Sequence, residues 1–182
     1  MVKAAIYLAE GFEEIEALTT ADILRRADIK VDLVALGGNL QVTGAHNIKV
    51  IADILIEEII LETYNIMILP GGMPGTVNLD SSNILKKQII DFDLEEKYIA
   101  AICAAPLVIG KMGFLENREA TCYPGVESQL FKAIYRDDLD VIVDGNFITS
   151  RGPGTAISFG LKLIELLKGK ELSKDLALEL LV

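Results

Sequence analysis

Ile99-Ala100-Ala101-Ile102-Cys103-Ala104-Ala105-Pro106 is the stretch that decides the fold. An unbroken apolar run up to Cys103 reads as a strand covered on both faces, since a strand with one wet face would alternate. Pro106 suits the first turn of a following helix, where its missing N–H is not needed. The small Ala104 and Ala105 permit a sharp strand-to-helix turn with Cys103 at its apex, like the nucleophile elbow of hydrolases. A thiol at a helix N-terminus feels the positive end of the dipole, which lowers a cysteine pKa into a range of about 3.5 to 7.5. The competing reading is a small buried hydrophobe, a common fate of free cysteine.

Outward from this segment, strands and helices alternate. Val2–Ala9 and Asn65–Leu69 are apolar runs of strand length, and Lys30–Leu36 is a β-branched, alternating strand. Glu13–Ala27, Ile54–Glu62, Asn83–Phe92, Leu107–Met112, Thr155–Lys168 and Leu172–Leu181 read as helices. Leu40–Val42 and Ile48–Ala52 suggest a small hairpin, and residues 120–148 read as short strands around a helix-like Glu127–Phe131. The expected architecture is an α/β doubly wound sandwich, mostly parallel, with a small antiparallel edge hairpin. In such sheets ligands bind at the carboxyl ends of the strands.

Bulk composition narrows the function classes. The chain has 182 residues, half of them apolar, which fits a single domain spanning 1–182. A formal net charge of −10 argues against a nucleic-acid or anionic-membrane surface as a steady partner. No apolar run approaches membrane-spanning length, and no secretory leader is evident. With two cysteines, these features point to the cytoplasm and to free thiols. Cys103, Cys122 and the single histidine, His46, do not make a metal-ligand spacing, so no metal is expected.

Four strand ends carry the candidate site. After the first strand, Glu13 and Glu16 share a helix face, and Glu16 sits among Ile15, Ala17 and Leu18, where a carboxyl group would keep its proton to higher pH. Acidic residues in a first helical turn, Glu14 above all, also serve simply to complement the dipole. After the third long strand, Gly71-Gly72 lets backbone N–H groups approach a ligand as oxyanion donors; it is neither a phosphate loop nor a dinucleotide fingerprint. The third end is Cys103. At the fourth, Arg151-Gly152-Pro153-Gly154 precedes a long helix and could hold an anion or a carbonyl, or could be a capped turn with an exposed arginine. Cys122 has no helix start beside it and reads as inert. His46 lies in a turn, so the proton-transfer partner of Cys103 is expected to be Glu16.

Taken together, Glu-Gly-Phe-Glu-Glu-Ile-Glu at 10–16, Leu-Pro-Gly-Gly at 69–72, Ala-Ala-Ile-Cys-Ala-Ala-Pro at 100–106 and Thr-Ser-Arg-Gly-Pro-Gly-Thr at 149–155 resemble the ThiJ/PfpI superfamily, within the class I glutamine amidotransferase-like domains. The likeness is closest to the branch of the parkinsonism-associated protein deglycase and the bacterial chaperone-deglycase. It implies a three-layer flavodoxin-like sandwich, a homodimer and a site that needs no cofactor. It also implies Cys103 as nucleophile, Glu16 as the buried carboxyl bonded to its sulfur, and the Gly72 and Ala104 amides as an oxyanion hole, with Gly71, Glu13, Tyr123, Arg151, Gly152 and Pro153 around the substrate. Relatives are described as glutathione-independent glyoxalases, as deglycases of early methylglyoxal adducts of proteins or nucleotides, and as redox-responsive chaperones. This chain departs from many of them in having Tyr123 where they place a histidine, which weakens any Cys-His mechanism. His46 stands where some relatives have an arginine, near the expected dimer interface and site mouth.

Two functions follow as expectations. One is a cysteine enzyme acting on a small aldehyde or a glycated protein or nucleotide. The other is a redox-sensing chaperone whose oxidisable Cys103 acts without significant turnover.

Overall fold

The computed structural model describes residues 1–182. Its central sheet is built from β1 (Lys3–Leu8), β2 (Lys30–Ala35), β5 (Ile54–Leu55), β6 (Ile66–Leu69), β7 (Tyr98–Ile102), β10 (Val141–Asp144) and β11 (Phe147–Ser150). Two ribbons stand apart from it: β3 (Gln41–Thr43) with β4 (Lys49–Ile51), and β8 (Glu119–Ala120) with β9 (Ile134–Tyr135). The helices are α1 (Glu14–Arg26), α2 (Gly75–Ser81), α3 (Asn83–Leu94), α4 (Pro106–Lys111), α5 (Ala156–Lys168) and α6 (Lys170–Glu179).

The sheet runs β10-β11-β7-β6-β1-β2-β5, parallel throughout except for β10, which pairs antiparallel with β11 at one edge. The side-chain alternation of each inner strand feeds two cores. In β1, Ile6 and Leu8 join Ile23 and Leu24 of α1, Phe159 and Leu163 of α5, and Leu176 of α6. Tyr7 faces the other way, with Met67 and Ile99 of the sheet, Leu79 of α2, Ile89 and Phe92 of α3 and Val108 of α4. Both faces are dry along β1, β6 and β7, so these strands carry no polar alternation. In α5 the buried residues Ala156, Phe159, Gly160, Leu163 and Ile164 recur at helical spacing and define the face laid on the sheet.

Two expectations are corrected. Ile54–Glu62 is not a helix: Ile54-Leu55 pairs with β2 as the edge strand, and two 3-10 turns follow at Ile56–Glu58 and Leu61–Thr63. Glu127–Phe131 shrinks to a 3-10 turn at Glu127–Gln129. The expected antiparallel hairpin forms as β3–β4, a ribbon separate from the main sheet, and β10 adds an antiparallel strand at the sheet edge. The helix α2 was not anticipated. No helix is long and apolar enough to cross a membrane.

The strand order places the site. From β1 the chain adds strands in one direction through β2 and β5, and from β6 in the other through β7 and β11. The crevice between β1 and β6 is therefore a topological switch point, where sheets of this kind bind ligands. The four strands whose ends carry the candidate residues, β1, β6, β7 and β11, are consecutive neighbours.

Candidate active site

Hydrogen bonds between main chains lock the four ends together. The Glu13 amide donates to the Gly71 carbonyl at 2.9 Å, joining the turn after β1 to the turn after β6. The Cys103 amide donates to the Ser150 carbonyl at 2.9 Å, joining β7 to β11, and the Cys103 carbonyl accepts from the Tyr123 amide at 2.8 Å. Cys103 itself has φ of 65°, left-handed backbone that a non-glycine residue adopts only under strain. That strain holds the thiol at the apex of the turn, half-buried.

Glu16 lies beneath it. Its side chain is almost completely buried, at 1% exposure, in the first turn of α1. Oε2 accepts from the Gly71 amide at 2.7 Å. Oε1 is buried and has no hydrogen-bond partner, and the carboxyl group as a whole faces the Cys103 thiol. Position 71 has no room for a side chain, because a Cβ there would sit 2.7 Å from Cys103 Cβ and 3.0 Å from Glu16 Oε2. Gly72 has φ of +90° and turns its amide toward the same sulfur.

Electrostatics couple the two groups. Burial raises the Glu16 carboxyl from 4.5 to about 7, and only partly do the Gly71 amide and the Cys103 thiol offset this. Burial and the facing Glu16 charge push the Cys103 thiol up to about 12, against the pull of the Ala104 and Gly72 amides. The expectation of a thiol lowered by a helix dipole is thus corrected. The helix α4 is six residues long and begins at Pro106, while the low-dielectric surroundings and a carboxylate next door dominate. A protonated Glu16 reverses its effect on the sulfur, from a repelling charge to a donor. Cys103 and Glu16 therefore titrate as a pair.

Cys103 opens into a cavity of about 300 Å³ lined by Glu13, Gly72, Met73, Ala104, Tyr123, Val126 and Pro153. Met73 and Val126, which sequence reasoning did not single out, supply much of its apolar wall. Arg151 does not line this cavity. It lines an adjoining one of about 210 Å³ with Gly152 and Thr155, and the two cavities share Tyr123 and Pro153. Cys122 is wholly buried and lines neither cavity.

Glu14 has a use the dipole argument missed. Its carboxylate accepts from the His46 amide at 2.7 Å and meets His46 Nδ1 at 2.8 Å, tying the β3–β4 turn to the start of α1. The contact raises the pKa of the exposed imidazole. Glu13, Glu14 and His46 place one ligand atom each within 4.8 Å of one another, the one such grouping in the chain, although Glu14 Oε1 is already engaged by backbone.

Residues 2–166 match the DJ-1/PfpI family. The chain belongs to that family. It is 39% identical to Protein dj-1beta of Drosophila melanogaster over 98% of this chain and 96% of that one. It is 34% identical to the protein of Schizosaccharomyces pombe named glutathione-independent glyoxalase DJ-1, over 94% of each. Among solved structures, oxidized Toxoplasma gondii DJ-1 superposes with a TM-score of 0.94 at 38% identity, covering 100% of this chain and 98% of that one. The flavodoxin-like sandwich expected from the sequence is the fold of these DJ-1 neighbours.

The raised Glu16 pKa has a consequence for stability. The folded state holds a proton on Glu16 up to pH about 7, whereas the unfolded chain releases it near 4.5. Folding stability therefore falls as pH rises through that window and levels off above it. Glu16→Gln keeps an acceptor for the Gly71 amide and removes the titration. Its Tm relative to wild type is expected to climb between pH 5 and pH 8, with a gain on the order of 1–3 kcal/mol, read by circular dichroism melts. A Tm difference that stays constant across those pH values contradicts the burial argument.

Proposed function

We propose that the chain is a cofactor-free cysteine enzyme acting on methylglyoxal or its early adducts with proteins and nucleotides. The observation that carries the reading is the convergence of the buried Glu16 carboxyl and the Gly72 and Ala104 amides on the Cys103 thiol, which opens into a cavity. The name of the fission-yeast relative supports the same class of chemistry.

The chemistry balances without an external oxidant. Cys103 Sγ adds to the aldehyde carbon, the C=O π bond opens, and the carbonyl oxygen is held by the Gly72 and Ala104 N–H groups while it takes up the thiol proton. The product is a hemithioacetal. Ionised Glu16 removes the hydrogen on that carbon as a proton, leaving an enediolate, and returns it to the neighbouring carbon while the hydroxyl proton passes from the first oxygen to the second. That step turns the hemithioacetal into a thioester of a 2-hydroxy acid. Water then breaks the C–S bond, releasing lactate and the free thiol. Tyr123 stands at the cavity wall and shapes it.

Lactate formation from methylglyoxal tests the assignment. Cys103→Ser is expected to abolish it, and Glu16→Gln to lower kcat by roughly 10²–10⁴-fold. Near-wild-type rates in either variant would sink the mechanism.

A second reading rests on the different settings of the two cysteines. Cys103 is half-buried and opens into the cavity, whereas Cys122 is sealed at 0% exposure. Peroxide attacked by the Cys103 thiolate gives a sulfenic acid and hydroxide, and a second peroxide gives the sulfinic acid. Mass spectrometry after graded peroxide is expected to find Cys103 modified well before Cys122; equal modification removes the basis of a redox-sensing role.

A further inference from the structure

Arg151 is an anomaly in an acidic chain. The sequence holds five arginines and a net charge of −10. Arg25 pairs with Asp53, Arg26 with Asp22, Arg118 with Asp144, and Arg136 with Glu119 and Asp138. Arg151 has no carboxylate partner, and its Nε is buried with no hydrogen-bond partner. A buried donor left unpaired costs stability, so an arginine kept in that state calls for a missing acceptor. Glu127, which like Arg151 acts electrostatically on Tyr135, is occupied by the Gly125 amide at 2.6 Å and forms no ion pair with Arg151.

Its place in the fold indicates what that acceptor is. Arg151 follows Ser150, whose carbonyl accepts the Cys103 amide at 2.9 Å. The Arg151 cavity adjoins the Cys103 cavity along Tyr123 and Pro153, giving a groove of two neighbouring cavities, one lined by Cys103 and the other by Arg151. The Cys103 cavity also carries Glu13, which repels negative charge from its own wall. The groove is thereby polarised: an anionic tail is disfavoured beside Glu13 and favoured beside Arg151. A single planar guanidinium matches one carboxylate in charge and in its fork of donors.

We propose that Arg151, with Tyr123 and Pro153, forms a carboxylate subsite, so that the preferred substrates are 2-oxoaldehydes whose tail carries a carboxylate. The assignment rests on the enzymatic reading above for the reactive end of the groove. Arg151 acts here in specificity and takes no part in the proton transfers.

The test compares methylglyoxal, with its neutral methyl tail, and 4,5-dioxopentanoate, with a carboxylate tail, in wild type, Arg151→Gln and Arg151→Lys at fixed ionic strength. The ratio of kcat/KM for the acidic over the neutral aldehyde is expected to fall about tenfold or more in Arg151→Gln, through KM, and to be partly restored in Arg151→Lys. A ratio unchanged by Arg151→Gln overturns the subsite. A second readout does not depend on turnover: glutarate is expected to slow iodoacetamide alkylation of Cys103 in wild type and to lose that effect in Arg151→Gln. Should neither aldehyde be consumed, the enzymatic reading fails on its own. Protection lost in Arg151→Gln then still supports the subsite, and equal protection in the two proteins overturns it.

Discussion

The hydrogen bond from the Gly71 amide to Glu16 Oε2 is the contact on which the site depends. It fixes a buried carboxyl at the crossing of α1 and the turn after β6, directly under the strained Cys103 turn. A carboxyl group taken out of water is costly unless it is bonded or protonated. One oxygen is bonded here and the other is not. In the proposed reaction the unsatisfied oxygen is the one left free to carry a proton. The fold spends stability on this arrangement: a left-handed cysteine, a side-chain-free position at Gly71 and a half-satisfied acid all lie within one crevice.

The layers and the site were legible to different depths. Strands such as Ala4–Leu8 and Ile99–Ile102 announce themselves because both their faces are buried. The convergence of their ends follows from the parallel order of the sheet. The helix α2 was hidden because Gly-Thr-Val-Asn-Leu-Asp-Ser has poor helix formers and no side-chain cap. It is held by tertiary contacts instead, with the Gly75 amide donating to the Gly11 carbonyl at 3.1 Å and Leu79 fully buried. Residues 54–62 misled in the opposite sense. Their apolar spacing suits a helix, yet Ile54-Leu55 completes the sheet edge beside β2. Local periodicity does not see a neighbouring strand in need of a partner.

The thiol's proton affinity shows the same limit. Sequence places Cys103 at a helix start, and a dipole argument lowers its pKa. Only the folded chain reveals how deeply the sulfur is sunk and that a carboxylate is its immediate neighbour. Glu14 is the converse case. It reads as an acidic residue near a helix start and turns out to clasp the His46 turn. Arg151 was legible as a residue of interest, but its lack of a partner, which gives it meaning, is a property of the whole fold.

The central claim is that Cys103 and Glu16 share a proton, and the rate of Cys103 alkylation by iodoacetamide against pH tests it most directly. A shared proton requires the wild-type rate to rise through an inflection near pH 7, where the pair loses its first proton, and then to flatten. In Glu16→Gln that inflection is lost, and the rate climbs steadily with pH as an isolated thiol does. Identical profiles in the two proteins would contradict the coupling and, with it, the role of Glu16.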